Sequence, residues 1–396
     1  MQISKRAKTL APSATLALDA RAKELQAAGK DVVNMAVGEP DFPAPQAVQA
    51  AAVEKVQSGN VRYTPAAGTP ELRATIARSV STTRGVDRDA ANVVVCHSAK
   101  HALSTALLAT VQEGDDVVVP LPAWGSYFAE IEIAGARVVP VAPRDGCRPD
   151  LDGIERAITP ATRLVMMNTP SNPTGLVWTR AELERLVALA ERHDLWILSD
   201  EIYRRLVYGN TFESPMSVPG GLERTILVDG ASKSFAMTGY RIGYLCAQRP
   251  LADAVGAMNS QMTGSPNAVS QAAYERALRA EPAEVAEMAD AFAARRERLL
   301  AGLAELGLPC PRPEGAFYAF PDVRAHLYGA DTQAFCADLL EEQSVALVPG
   351  EVFGVSGHVR LSYATSIERI EEALSRLGRF FEARGARYAS AGASNG

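Results

Sequence analysis

DGASKSFAMTGYRIGY, residues 229–244, decides how this chain is read. Lys233 follows directly on a short apolar run and precedes a turn of small residues, and Arg241 lies eight residues further on. A lysine is ordinarily a solvated surface residue. Here the flanking Ala231, Phe235, Ala236 and Met237 are apolar or small, which favours burial. A buried lysine sheds its proton readily and becomes a nucleophile for a carbonyl. An arginine fork in the same turn suits a phosphate, which it grips with parallel hydrogen bonds.

Outward from that stretch, the chain alternates short β-branched runs with helical patterns. Strands are expected at 92–96, 116–120, 137–141, 163–168, 196–199, 225–228 and 242–246, with helices such as 103–111 and 180–193 between them. Runs apolar on both alternating faces fit a mostly parallel sheet covered by helices, and ligands of such α/β sheets sit at the carboxyl ends of the strands. After about residue 281 the character changes to a long charged helix, 283–306, then GAFYAF, a helix near 332–343, VALVP and HVRLSY. A last helix repeats Ile367, Ile370, Leu374, Leu377 and Phe381 at helical spacing. The expected division is a large α/β domain over 41–284, and a smaller α+β domain made of 285–396 with the N-terminal arm 1–40. The segment from about Ala386, RYASAGASNG, is expected to fray.

At 396 residues the chain is too long for one ordinary core. Lys and Arg total 40 against 46 Asp and Glu, so the net charge is −6; without a clustered basic excess a nucleic-acid partner is not expected. The five cysteines are scattered and form no CxxC pair, which fits a reducing cytoplasm rather than a disulfide framework. The basic start MQISKR lacks a sustained apolar stretch and reads as an arm entering a helix, and no run reaches membrane-spanning length. No metal is expected. His97 and His101 stand four apart, but no acidic third ligand is near in sequence.

Further motifs fall at expected strand ends. Asp200 in SDEIY is a carboxylate that needs a partner if buried, or else a helix cap. Asn172 in PSNPTG lies in a constrained turn between prolines. In VVVCHSAKHAL a strand gives way to a helix at Ser98, Ala99 and Lys100, and free N–H groups at a helix start suit a phosphate. Trp124 in LPAWGSY sits at a strand end, and Arg360 in VRLSYATS carries a fork able to hold a carboxylate.

Taken together, the segments PSATLAL, GEPDF, RYTPAAGTPELR, PSNPTG, SDEIY, the lysine segment and VRLSYATS resemble, in order and over nearly the whole chain, the class I aminotransferases of the pyridoxal-phosphate (PLP) fold-type I superfamily. The subgroup they resemble is that of the prokaryotic aspartate aminotransferases. The resemblance implies PLP held as a Schiff base on Lys233, which also shuttles the substrate proton. It implies Asp200 facing the pyridine nitrogen, Tyr203 and Asn172 at the ring oxygen, and Trp124 stacking on the ring. Ser98, Ala99, Lys100 and Arg241 fall at the phosphate, and Tyr63 reaches the phosphate of the second subunit of a homodimer. Arg360 and Gly38 would hold the substrate α-carboxylate, and Lys100, Ser13 and Thr15 the distal carboxylate of aspartate or glutamate. Two departures stand out. Ser98 and Ala99 occupy positions where relatives have glycine, and Gly230 replaces a phosphate-binding serine, a loss Ser232 is placed to offset. Other activities on the same cofactor, transamination of aromatic acids or prephenate, or a β-lyase, remain open. A non-enzymatic PLP-fold sensing module fits poorly, since no helix-turn-helix or basic patch accompanies it.

Overall fold

A computed structural model describes residues 2–4, 7–8, 14–209 and 211–393. After a short strand β1 (Val33–Asn34) come β2 (Val93–Cys96), β3 (Asp116–Pro120), β4 (Arg137–Val141), β5 (Thr162–Asn168), β6 (Trp196–Asp200), β7 (Thr225–Gly230) and β8 (Gly243–Cys246). These last seven make one sheet in the order β2-β8-β7-β6-β5-β3-β4. Every pairing is parallel except the two made by β8, which runs antiparallel to β2 and β7. The architecture is thus α/β, with a mostly parallel mixed sheet between layers of helices.

Period-two alternation explains why these strands look apolar throughout. Val117 and Val119, Leu164 and Met166, and Leu198 enter one core cluster, while Val118, Val165, Met167 and Ile197 enter another on the opposite face. Both faces are covered, so successive positions along the middle of these strands are apolar. The helix Arg180–His193 begins at a capping box, Thr179 with Glu182, and closes on Asp194 in the left-handed conformation. That local chemistry explains why its limits coincide with those expected. The helix expected at 103–111 starts earlier, at Ala99, because the Ser98 hydroxyl accepts the His101 N–H and caps it there.

The C-terminal third is built on a three-stranded antiparallel sheet, β11 (Val348–Pro349), β12 (Val359–Ser362) and β9 (Tyr318–Ala319), with the helices Ala283–Glu305, Thr332–Gln343 and Ile367–Ala393. β1 pairs in parallel with β10 (Val345–Ala346), so the N-terminal segment is tied to this part of the chain. The last helix runs to Ala393 through much of the segment expected to fray, whose alanines are strong helix formers. No helix among the described residues is long and apolar enough to cross a membrane.

Candidate active site

The carboxyl ends of the parallel strands and the start of β8 open on a cleft of about 1300 Å³, its solvent mouth included. Twelve of the residues singled out from the sequence line it: Gly38, Ser98, Ala99, Lys100, Trp124, Asn172, Asp200, Tyr203, Ser232, Lys233, Arg241 and Arg360. They come from the turns or ends of β1, β2, β3, β5, β6 and β7, from the turn entering β8, and from β12, so a sequence separation of more than 300 residues collapses to one site. Tyr63 is outside the cleft and fully exposed. Ser13 lies outside the described residues, as does the side chain of Thr15.

Lys233 sits in a single helical turn, Ala231–Ser234, directly after β7, and its Nζ donates to the carbonyl of Gly38. Burial, helped by Arg360 and Arg241 and opposed by Glu39 and Asp200, pushes its ammonium down to about 8. Asp200 ends β6 and is 3% exposed. One of its oxygens accepts the Tyr127 hydroxyl at 2.7 Å and the other the Ile202 N–H at 3.1 Å. Burial outweighs those hydrogen bonds and pushes the carboxyl up to about 6. Such a group is poised to meet a cation brought in by a ligand.

Arg360, on β12, is 1% exposed. Its Nη1 donates to Asn172 Oδ1 at 3.1 Å and its Nη2 to the Ala36 carbonyl at 2.6 Å, while Nε has no partner among the described residues. The guanidinium lies over the rings of Tyr318 and Phe353, 4.6 and 5.2 Å from their centroids. Burial lowers its pKa. Lys100 donates to Ser126 Oγ at 3.1 Å and sits 4.9 Å above the Trp124 ring. Among the described residues none of Lys100, Lys233, Arg241 and Arg360 forms an ion pair. Four uncommitted cations in one cleft call for anionic ligands.

The turn before β8 is held in unusual backbone geometry: Ala236 and Arg241 have φ of 50° and 52°, the left-handed region that side chains disfavour. Close approach explains Gly243, where a Cβ would come within 2.4 Å of the Ala99 nitrogen. The bare glycine lets β8 pass under the start of the helix Ala99–Thr110. At Gly38 a Cβ would stand 2.9 Å from the Tyr318 hydroxyl. A cis bond joins Thr169 to Pro170, just before the turn that carries Asn172. His97 and His101 pack ring against ring at 5.3 Å, and no group of three His, Cys, Asp or Glu among the described residues could hold a metal ion.

Several lining residues escaped the sequence reading. Tyr127 holds Asp200, Tyr318 accepts or donates a 2.9 Å hydrogen bond with Tyr203, and Asn168 binds both the Asp200 carbonyl and the Asn172 N–H. A signal existed for Tyr127, three residues after Trp124 in the same strand-to-helix turn; Tyr318 had only its place in GAFYAF.

The comparisons with known proteins agree with this geometry. The model of the family "Aminotransferase class I and II" matches residues 30–377. The chain belongs to this family and is an aminotransferase, moving an amino group between an L-amino acid and a 2-oxo acid. It is 40% identical to the aspartate aminotransferase of Geobacillus stearothermophilus, over 97% of this chain and all of that one. It is 42% identical to the aspartate/prephenate aminotransferase of Thermus thermophilus, over 95% of this chain and 98% of that one. The solved aspartate aminotransferase from Thermus thermophilus with maleate superposes with a TM-score of 0.93 at 40% identity, covering 96% of this chain and 100% of that chain.

Proposed function

We propose that the cleft holds pyridoxal 5'-phosphate on Lys233 and exchanges amino groups between aspartate or glutamate and their 2-oxo acids. The observation that carries this reading is the conjunction of a lysine depressed to about 8 with a buried, unpaired Arg360 and a buried carboxylate, Asp200. The residues fit the cofactor. Lys233 suits its aldehyde and Asp200 its ring nitrogen; the free N–H groups at Ser98–Lys100, with Ser232 and Arg241, suit its phosphate. Trp124 offers a ring face. Asn172 spends its side-chain oxygen on Arg360 and keeps its Nδ2 donors for the ring oxygen, beside Tyr203.

When bound, PLP supplies an electron sink for negative charge at the substrate α-carbon. The chain's residues do the rest. Arg360 grips the α-carboxylate with two parallel donors, beside the backbone of Gly38. Lys233, whose depressed pKa leaves it deprotonated near neutral pH far more often than an ordinary lysine, takes the proton from Cα and returns it as a general base. Lys100 meets the distal carboxylate of a dicarboxylic donor, and Ser13 and Thr15 add hydroxyl donors there. The names of the relatives support aspartate as donor. The Thermus relative's name supports prephenate as a further acceptor.

The active unit in this reading is a cytoplasmic homodimer. Its support is Tyr63, fully exposed, with the preceding Val53, Val56 and Val61 also exposed at 54, 58 and 46%. The domain division is 41–284 and 285–396 with 1–40. Borohydride reduction of the purified protein followed by peptide mass spectrometry tests the cofactor: the label belongs on Lys233, and a label elsewhere, or none after reconstitution, ends the reading. Single-turnover spectra with a panel of amino acids test the donor, and release of ammonia and pyruvate would instead reveal a lyase.

A further inference from the structure

Behind the cleft wall lies a carboxyl group that the reaction as described does not use. Glu130 stands on the helix Ser126–Ala134, one turn beyond Tyr127, and is 5% exposed. Both of its carboxyl oxygens are buried and without a hydrogen-bond partner among the described residues. Ser104, alongside it, gives its hydroxyl proton to the Lys100 carbonyl at 3.1 Å and is near enough to Glu130 to oppose its pKa rise weakly. Ser126 and Glu130 are four apart, so they share a helix face, and that face meets the helix Ala99–Thr110 where Lys100 and Ser104 are likewise four apart. Lys100 reaches the outer of the two residues, Ser126, and leaves Glu130 unpaired.

An ionised carboxylate buried without hydrogen bonds is strongly disfavoured, so such a group keeps its proton. The charges that act on it are Lys100 from the neighbouring helix and Asp200 from β6, with the Tyr127 hydroxyl on its own helix. β4, packed on the same helix, brings Arg137, whose guanidinium is committed to Asp116. Burial first, then Asp200, push Glu130 up to about 8, with Lys100 and then the Ser104 hydroxyl opposing.

We propose that Glu130 is a specificity-setting residue: as a neutral acid it leaves the Lys100 charge whole for the distal carboxylate of a dicarboxylic substrate, and as a carboxylate it cancels that charge. The proposal rests on the reading of Lys100 as the distal contact. Its consequence is a preference for dicarboxylic donors that fades in alkali while monocarboxylic donors are unaffected. Glu130 touches no substrate and acts through Lys100.

The test compares kcat/KM for aspartate with kcat/KM for alanine on the holoenzyme, from about pH 6.5 to about pH 9.5, a span that brackets the Glu130 titration. The ratio of the two cancels the titration of the α-amino group and of Lys233. In the unaltered enzyme the ratio falls on the order of tenfold across that span, the loss of one charge-assisted contact. In Glu130→Gln it stays high throughout, and in Lys100→Ala it is low and flat. A flat ratio in the unaltered enzyme, or a Glu130→Gln profile that falls in parallel with it while Lys100→Ala abolishes the preference, overturns the role of Glu130 and leaves that of Lys100 standing. An unchanged ratio in Lys100→Ala overturns both. Glu130→Met takes the place of the glutamine variant if the latter does not fold. Infrared difference spectra between the two pH limits give an independent readout. A protonated-carboxyl band lost in the unaltered holoenzyme is absent from the variant, and persistence of that loss in the variant contradicts the assignment.

Discussion

Arg84 and Arg360 are the same residue, both buried, at 4 and 1% exposure, yet they do opposite work. Arg84 closes the helix Pro70–Arg84 and turns its Nε and Nη2 onto Glu201 at 3.1 and 2.5 Å, with Asp229 at 3.7 Å. Burial alone would lower its pKa; Glu201, Tyr244 and Asp229 overcome that and raise it. Arg360 has carbonyl and amide oxygens instead of carboxylates, and burial lowers its pKa unopposed by any carboxylate. The same contrast divides two adjacent acids. Asp200 faces the cleft and Glu201, the next residue along, faces Arg84. A buried charge matched within the protein is architecture; one left unmatched is an invitation to a ligand.

The comparison breaks if the two classes respond alike to substitution. Arg84→Met leaves Glu201 buried without its partner, and unfolding stability should fall by about 3–5 kcal/mol. Denaturant titration reads this loss, while kcat/KM per folded molecule stays near that of the parent. Asp200→Ala should lower turnover on the order of a hundred- to a thousandfold, since a preorganised charge at the reacting system is removed. A near-parental rate would return Asp200 to the structural class. Arg360→Ala should lower kcat/KM for every amino donor by about a hundredfold or more, since two charge-assisted bonds to the α-carboxylate are lost, with no fall in Tm. A large drop in Tm with donors still bound would place it beside Arg84.

Lys100→Ala sharpens the contrast within the cleft. It should weaken kcat/KM about ten- to a hundredfold for aspartate and spare alanine and phenylalanine. An equal loss for all donors would assign Lys100 to the phosphate. Glu130→Gln tests the same cleft through stability, with a definite sign. The folded pKa of Glu130, about 8, is raised above its ordinary 4.5. Its contribution to stability is therefore full below about 4.5 and lost as pH rises through about 8. The glutamine variant should gain on the parent by up to about 5 kcal/mol over that window, each pKa unit being worth about 1.4 kcal/mol. Equal pH–stability curves for the two proteins would mean that Glu130 is ionised in both folded and unfolded chains.

The sheet and most of the cleft were legible in the sequence because their causes are local. β3 and β4 and the helices Arg180–His193 and Thr332–Gln343 came out with their limits unchanged, since β-branched runs, caps and turn residues act on their immediate neighbours. Lys233 was readable from its apolar setting after a strand, whereas the roles of Asp200, Asn172 and Arg360 became readable only because their motifs, in order, resemble those of a known family. Whether a charge is matched is not local. Arg84 meets Glu201 across 117 residues and Arg360 meets Asn172 across 188. Nothing beside Glu130 in the chain says that both its oxygens lose water. The sequence by itself determined which groups could titrate, donate or bind, and the period that builds the sheet. Only the tertiary structure decided which of them are desolvated and which are left without a partner, because burial and Coulomb attraction depend on distances through space and not along the chain.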